Sequence, residues 1–280
     1  MSFIRNNLLL PLVVCMTLAV ISLSSCHFSQ EEKRQIAQSQ KGKEFFRDSK
    51  KWGKVVTQTL SLREFSLIEM DGNIDINLIQ SEETKIEVMG NEKAIALHSI
   101  EVVKKGGKDV LLVKKAKKDY LRQVPSIKLR IAMPHLEGIE VNGEGDLEIK
   151  DDAFFMGNLD IVINGEGEVE ARDISCDSLR VVINGEGDMK AKKLNCTATS
   201  ILINGDGGIN ADIKAHNINL QLGGNGEAEL DVKCEMLYVS AGGNSEVKLK
   251  GRCVNLFKQV VGKASLDSRR LHVSGDIKLQ

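Results

Sequence analysis

Aromatic residues and proline are scarce in this sequence. Only 4% of the 280 residues are aromatic, one residue is Trp and three are Pro, whereas 25 are Gly. A globular enzyme of this size usually fills a thick core with large aromatic side chains. The scarcity therefore disfavours that class of protein, while the length allows one or two domains. Few aromatics combined with abundant glycine indicate a thin, repetitive β architecture.

Signals of catalysis and of nucleic-acid binding are lacking as well. The formal net charge is −1, so no overall positive field attracts nucleic acid. No Ser-His-Asp order and no metal-ligand spacing stands out, so we predict a protein that is not an enzyme and has no metal site. Some β-helix proteins cleave polysaccharides, using Asp with Arg or Lys on one face. A glycan-active enzyme of that kind is the least favoured alternative, because arginine and stacking aromatics are sparse here.

The first 25 residues have the pattern of a lipoprotein signal peptide. Arg5 supplies a positive charge, and an apolar stretch runs from Leu8 to Leu23. The stretch ends in Leu-Ser-Ser-Cys, which resembles the lipobox of bacterial lipoproteins and predicts acylation of Cys26. The alternative is an ordinary signal peptide with a chance cysteine. An acylated Cys26 predicts a lipid anchor in a membrane, and no second apolar run follows that would span a bilayer. The next residue is His27 and not the Asp of the usual inner-membrane retention signal, so we expect an outer-membrane lipoprotein.

The segment 26–60 is polar and predicts a solvated tether after the lipid anchor. An acidic pair, Glu31 and Glu32, resembles the export signal of surface lipoproteins in Bacteroidota. The protein is accordingly expected either on the cell surface or facing the periplasm.

A sequence repeat of about 20 residues, called a line below, recurs in the second half of the chain. Asn-Gly-Glu-Gly occurs at Asn142, Asn164 and Asn184, and as Asn-Gly-Asp-Gly at Asn204. The register continues more weakly through Gly223, Gly242 and Val261, with spacings of 22, 20, 20, 19, 19 and 19 residues. Apolar and polar residues alternate within each line, which indicates strands. A strand-rich line of this length buries its apolar side only by stacking on its neighbours. We predict an all-β, parallel β-helix (β-solenoid) with about 19–22 residues per coil over residues 134–280.

Each line also predicts two stacked structural features. The asparagines point outward and form an amide ladder along the axis. The glycines lie on the buried side, where the interior is too narrow for a side chain or the strand bends sharply. They are Gly143, Gly145, Gly165, Gly167, Gly185, Gly187, Gly205 and Gly207.

The motifs and their order resemble a known family. The repeated lines follow the segment "FSLIEMDGNIDINLIQ", Phe65 to Gln80. Together they are similar to the "putative auto-transporter adhesin, head GIN domain" of Bacteroidota lipoproteins, over roughly Leu62 to the C-terminus. The resemblance implies a right-handed β-helix and an extracytoplasmic address. The family usually carries Ser-Gly-Ala-Gly where this chain carries Asn-Gly-Glu-Gly. Residues 61–133 lack the 20-residue register, and we expect their strands to cap the N-terminal end of the solenoid.

An acidic ladder is the first candidate binding feature. Its members project outward from successive lines: Glu144, Glu166, Glu186 and Asp206, flanked by Asp146, Glu168 and Asp188. Stacked like charges repel, so Ca²⁺, which favours oxygen ligands, or a basic partner is a candidate counter-charge. The alternative is a solvated acidic face that keeps the rod soluble.

A cysteine column is the second feature, and a basic run is the third. Cys176, Cys196, Cys234 and Cys253 occupy equivalent positions, and we predict buried free thiols; the alternative is disulfides Cys176–Cys196 and Cys234–Cys253.

The basic run spans Val113 to Gln123, with Lys104, Lys105 and Lys108 nearby. Its candidate partners are lipopolysaccharide, an acidic glycan or the acidic ladder of a second molecule. Its alternative is a charged edge that blocks aggregation.

These observations favour a non-catalytic lipoprotein of the cell envelope. The expected role is surface adhesion or binding of a glycan or protein, with the outer membrane contacted through the lipid anchor and a homo-oligomer as a further candidate partner. A periplasm-facing structural or sensing lipoprotein is the alternative.

Overall fold

The structure, a computed structural model, describes residues 51–115 and 124–279. The signal peptide, Cys26, most of the tether and residues 116–123 of the basic run lie outside the described residues. No helix in the described part is long and apolar enough to cross a membrane.

The described residues contain eighteen strands and a short helix, α1 (Glu92–Ile95), and Lys51 and Trp52 are helical as well. The strands are β1 (Val55–Leu60), β2 (Leu67–Asp71), β3 (Ile74–Gln80), β4 (Lys85–Asn91), β5 (His98–Lys105), β6 (Lys108–Lys115), β7 (Ile127–Met133), β8 (Gly138–Gly143), β9 (Leu147–Ile149), β10 (Ala153–Gly165), β11 (Glu168–Ile183), β12 (Asp188–Gly205), β13 (Gly208–Lys214), β14 (Asn217–Gly224), β15 (Glu227–Ala241), β16 (Glu246–Val260), β17 (Ser265–Val273) and β18 (Ile277–Leu279).

The strands from β8 onward form a parallel β-solenoid of about seven turns, which confirms the predicted fold class. Each coil contributes three strand segments, and corresponding segments of successive coils pair in parallel. The first face stacks 138–143, 158–163, 178–183, 198–205, 217–224, 236–241, 255–260 and 277–279. The second face stacks 147–149, 168–171, 188–191, 208–211, 227–230, 246–248 and 265–267. The third stacks 153–155, 174–176, 194–196, 213–214, 232–234, 251–253 and 271–273.

The interior is filled by columns of aliphatic side chains. On the first face Ile161, Val181, Ile201, Leu220 and Val239 lie in register on successive coils, and each is at most 3% exposed. The alternation that the sequence shows places every second residue on this inner side. The columns bury little aromatic surface, in agreement with the thin core that the composition predicts.

Residues 67–133 extend the solenoid before closing it. Strands β2 and β3 pair in parallel with β8 and β9, so they form a coil below the first repeated line. Strands β6 and β7 come later in the chain but stack outside β2 and β3. Strand β5 then pairs antiparallel with β6, β4 with β7, and β1 with β4. The chain thus enters at the N-terminal end, where antiparallel strands cover the parallel edges.

Candidate functional site

The corner between the first and second faces is built on glycine. A Cβ on Gly207 would lie 2.1 Å from the carbonyl oxygen of Gly187, and one on Gly167 would lie 2.3 Å from that of Gly145. A Cβ on Gly165 would lie 2.4 Å from the oxygen of Gly143. These distances are far below any real Cβ contact, so successive coils approach each other too closely for a side chain. The glycines set this corner, and the residues between them point outward.

The predicted asparagines form a hydrogen-bonded column at the end of the first face. The Asn164 Nδ2 donates to Asn142 Oδ1 at 2.9 Å, Asn184 to Asn164 at 2.9 Å, and Asn204 to Asn184 at 3.1 Å. The Asn164 and Asn184 amides each donate to one neighbouring coil and accept from the other, because the coils are in register one strand spacing apart. Beyond Asn204 this position becomes Gly223, and the column ends.

A second column of amide side chains begins at the apex of the corner, the outward-pointing position between the two glycines of each earlier coil. Asn225 Nδ2 donates to Asp206 Oδ1 at 2.7 Å, and Asn244 Nδ2 donates to Asn225 Oδ1 at 3.0 Å. Backbone hydrogen bonds between coils put Asn225 and Asn244 at the same corner position that the acidic residues occupy on the earlier coils. Lys263 occupies this position on the next coil. The acidic apex column Glu144, Glu166, Glu186 and Asp206 therefore ends in neutral and then basic residues. The sequence reasoning missed this change of column because the later lines replace Asn-Gly by Gly-Gly.

The flanking acidic column is longer than the sequence lines suggest. Asp146, Glu168 and Asp188 open the second face, and Gly208 interrupts them. Glu227 and Glu246 then continue the same position. Lys190 forms an ion pair with Glu168. Burial, and then repulsion by Glu168, raises the pKa of the Glu170 carboxyl.

Calcium binding by these carboxylates stays a prediction. In residues 51–115 and 124–279, no group of three or more His, Cys, Asp or Glu side chains converges closely enough to hold a metal ion.

The three lysines near the basic run are each paired with a carboxylate. Lys104 lies 3.1 Å from Asp109, Lys105 pairs with Glu69, and Lys108 lies 2.5 Å from Glu137. The hydrogen bond from Lys108 holds the pKa of the Glu137 carboxyl below its usual value. These three lysines therefore offer less free positive charge than their sequence clustering suggests.

The four cysteines form an inner column on the third face, at register pairs Cys176–Cys196 and Cys234–Cys253. All four are free and buried. The Sγ atoms of Cys176 and Cys196 lie 3.2 Å apart, within reach of one another on neighbouring coils. The hydrogen bond between the two thiols lowers the pKa of Cys196 and raises that of Cys176. Burial raises the pKa of Cys234 to about 12.

We expect Cys196 to be alkylated by iodoacetamide before Cys234 at about pH 8, because only thiolate reacts and the hydrogen bond favours thiolate at Cys196. Peptide mass spectrometry at increasing reaction times measures both rates on one sample. Cys176→Ala removes this hydrogen bond and should slow the alkylation of Cys196 without changing that of Cys234. Faster modification of Cys234, or no modification until a reductant is added, would contradict the prediction of free, unequal thiols.

A basic column lies on the outer side of the third face, beside the thiols. Lys214 is in register with Lys233, Lys233 with Arg252, and Arg252 with His272. All four side chains are exposed. They form one wall of a groove whose lining also includes the cysteine column. Sequence reasoning missed this column, although Lys214, Lys233 and Arg252 recur every 19 residues.

The outer side of the first face is neutral and polar over its C-terminal coils. Its polar residues include Ser200, Asn219, Gln221, Ser240 and Gln259. The rings of Tyr238 and Phe257 stack on neighbouring coils, with centroids 4.7 Å apart and planes at 12°. Lys278 covers the far side of Phe257 at 5.5 Å from the ring centre.

Comparison with known proteins gives one family and several solved structures. The model of a family described as "Putative auto-transporter adhesin, head GIN domain" matches residues 64–230 and 199–278. No curated protein matches the chain.

The solved structures share the fold. A "putative adhesin" from Bacteroides fragilis NCTC 9343 is 23% identical, with a TM-score of 0.55, over 81% of this chain and 98% of that one. A "putative lipid binding protein" from Parabacteroides distasonis ATCC 8503 is 17% identical, with a TM-score of 0.59, over 81% and 97%. A "putative adhesin" from Parabacteroides merdae ATCC 43184 is 19% identical, with a TM-score of 0.56, over 81% and 97%.

Proposed function

Because the chain belongs to the family described as "Putative auto-transporter adhesin, head GIN domain", we propose that it is a non-catalytic adhesion module of the bacterial cell envelope. In this proposal acylated Cys26 anchors the protein in the outer membrane, and the solenoid is displayed at the cell surface. The family description names adhesion and no reaction, and the bacterial relatives of known structure have the same fold.

The distribution of unusual surface features along the rod carries the proposal. The chain enters the solenoid at the end closed by β1, β4 and β5, and the anchor precedes that end in sequence. The coils nearest the entry carry the regular asparagine ladder. The stacked aromatics and the basic column lie on coils toward the opposite end. If the rod is anchored at its entry end, its opposite end points away from the membrane and is available to an external partner.

The chemistry of the first face suits contact with a polar partner. The outer side carries amides and hydroxyls on several successive coils, and these groups both donate and accept hydrogen bonds. The parallel register repeats them at the strand spacing of about 4.8 Å. A surface of this kind offers many weak contacts to an extended glycan or to a protein strand. Adhesion gains strength from such repetition, since linked weak contacts add.

The anchor has a direct test in the intact precursor. Cys26→Ser should abolish incorporation of radiolabelled palmitate and release the protein from the membrane fraction, because the acyl chains supply the membrane affinity. The matched control is Cys15→Ser, which removes a thiol from the apolar part of the signal segment and should leave labelling intact. Labelling that survives Cys26→Ser, or a wild-type protein without lipid, would contradict the anchor.

A further inference from the structure

The groove beside the basic column crosses successive coils of the solenoid. Four register-matched side chains, Lys214, Lys233, Arg252 and His272, form one wall. At about 4.8 Å per coil, they cover about 14 Å along the axis. Thr197, His216 and Ser274 lie on the other side, and the lining between them includes the small side chains of the cysteine column. A straight groove that crosses successive coils accepts a linear chain better than a compact ligand.

The positive charges of this column are not neutralised within the described part of the protein. Neither Lys214, Lys233 nor Arg252 forms an ion pair there. Neighbouring lysines of the solenoid do: Lys193 lies 3.5 Å from Asp173, and Lys250 lies 3.9 Å from Asp231. Like charges directly opposite each other on paired strands destabilise the pair. Three consecutive coils therefore carry a repulsion that an external anion would relieve.

One acidic residue, Glu235, lines the groove, and two others, Asp212 and Asp231, lie on the strands that carry the column. Glu235 is 3.2 Å from the Nδ1 of His216, across the groove. Asp231 faces Lys250, and Asp212 is exposed one coil earlier. The wall formed by Lys214, Lys233 and Arg252 is thus open to solvent and to a ligand.

We propose that this groove binds a linear acidic polysaccharide, with Lys214, Lys233 and Arg252 contacting anionic groups on successive sugars. The proposal rests on the adhesion function above and names its ligand class. Arg252 binds carboxylate or sulfate in a bidentate fashion, while the two lysines act as point charges. Thr197 and Ser274 offer hydroxyls for the sugar. The described lining contains no Phe, Tyr or Trp, the large rings on which the bases of single-stranded nucleic acids stack, so a nucleic acid fits this groove less well.

The test compares two triple variants of the full-length lipoprotein in detergent. The groove variant is Lys214→Gln, Lys233→Gln, Arg252→Gln. The control variant is Lys192→Gln, Lys258→Gln, Lys263→Gln, which removes the same charge at positions outside the groove. Immobilised polygalacturonate is the probe, with neutral dextran and a single-stranded oligonucleotide of equal charge beside it. Binding is measured in about 50 mM and about 200 mM sodium chloride, because exposed charge contacts weaken with salt.

We expect wild type to bind polygalacturonate and not dextran, with weaker binding at the higher salt concentration. The groove variant should lose about tenfold in affinity, and the control variant should stay within about twofold. An equal loss of affinity in both variants would contradict the assignment of the site to this groove, because net charge alone would then determine binding. The ligand class is wrong if the groove binds the oligonucleotide as tightly as polygalacturonate, or if it mediates self-association without binding polysaccharide.

Failure of this proposal is distinguishable from failure of the adhesion function. The two triple variants keep Cys26 and the folded core, so membrane labelling and display on cells are measured on the same proteins. A protein displayed on cells but unable to bind polygalacturonate loses only the ligand assignment.

Discussion

Replacing Gly207 with alanine will destabilise the solenoid by about 3 kcal/mol, the upper part of the usual range for overpacking. The added Cβ would lie 2.1 Å from the carbonyl oxygen of Gly187 and 2.9 Å from the Cγ2 of Ile183. The oxygen belongs to the backbone of the neighbouring coil, so relief requires the two coils to separate. Separation breaks the parallel hydrogen bonds on both sides of the corner. Urea unfolding followed by circular dichroism measures the change.

Gly223→Ala is the matched control. A Cβ at Gly223 meets only the carbonyl oxygen of Ile203, at 4.0 Å, which is ordinary contact. Its free energy of unfolding should stay within about 0.5 kcal/mol of wild type. Equal effects at Gly207 and Gly223 would show that the corner is not closely packed.

Ile201→Ala will cost about 2–5 kcal/mol of unfolding free energy, the range for a large aliphatic side chain removed from a core. Ile201 is 1% exposed and lies in register between Val181 and Leu220. Its loss leaves a cavity bordered by neighbouring coils, which the stacked backbone cannot close. The same denaturant titration gives the value.

The adjacent Leu202 provides the control for register. Leu202 is of similar size but lies on the outer side, where it is only partly buried. Leu202→Ala should cost about 1 kcal/mol or less. Because side chains alternate along a strand, a register shifted by one residue would exchange the two effects. The larger cost at Leu202 would therefore contradict the described packing.

The repeated lines made the solenoid predictable. Asn142, Asn164, Asn184 and Asn204 recur at nearly constant spacing, and a period of about 20 residues with strand alternation has few structural solutions. The N-terminal region was less predictable, because β6 and β7 follow β2 and β3 in the chain but stack outside them. Stacking order that departs from chain order leaves no fixed period, and only tertiary pairing reveals it.

The candidate site was likewise predictable in some parts and not in others. The acidic and cysteine columns were visible because one residue type recurs at one position. The basic column mixes Lys214, Lys233 and Arg252 with the neutral Asn195 one coil before, so residue type alone concealed it. The change of amide column from Asn204 to Asn225 was concealed because Gly223 takes the position of the asparagine and Asn225 takes the position of an acidic residue.

Protease shaving of intact cells tests the central claim most directly. Cells that produce the full-length protein are treated with protease, and the chain is detected beside a soluble periplasmic control protein. Display at the surface predicts loss of the chain from intact cells while the periplasmic control stays whole. Protection of the chain until the outer membrane is broken, followed by rapid digestion, would contradict the adhesion function and place the rod inside the envelope.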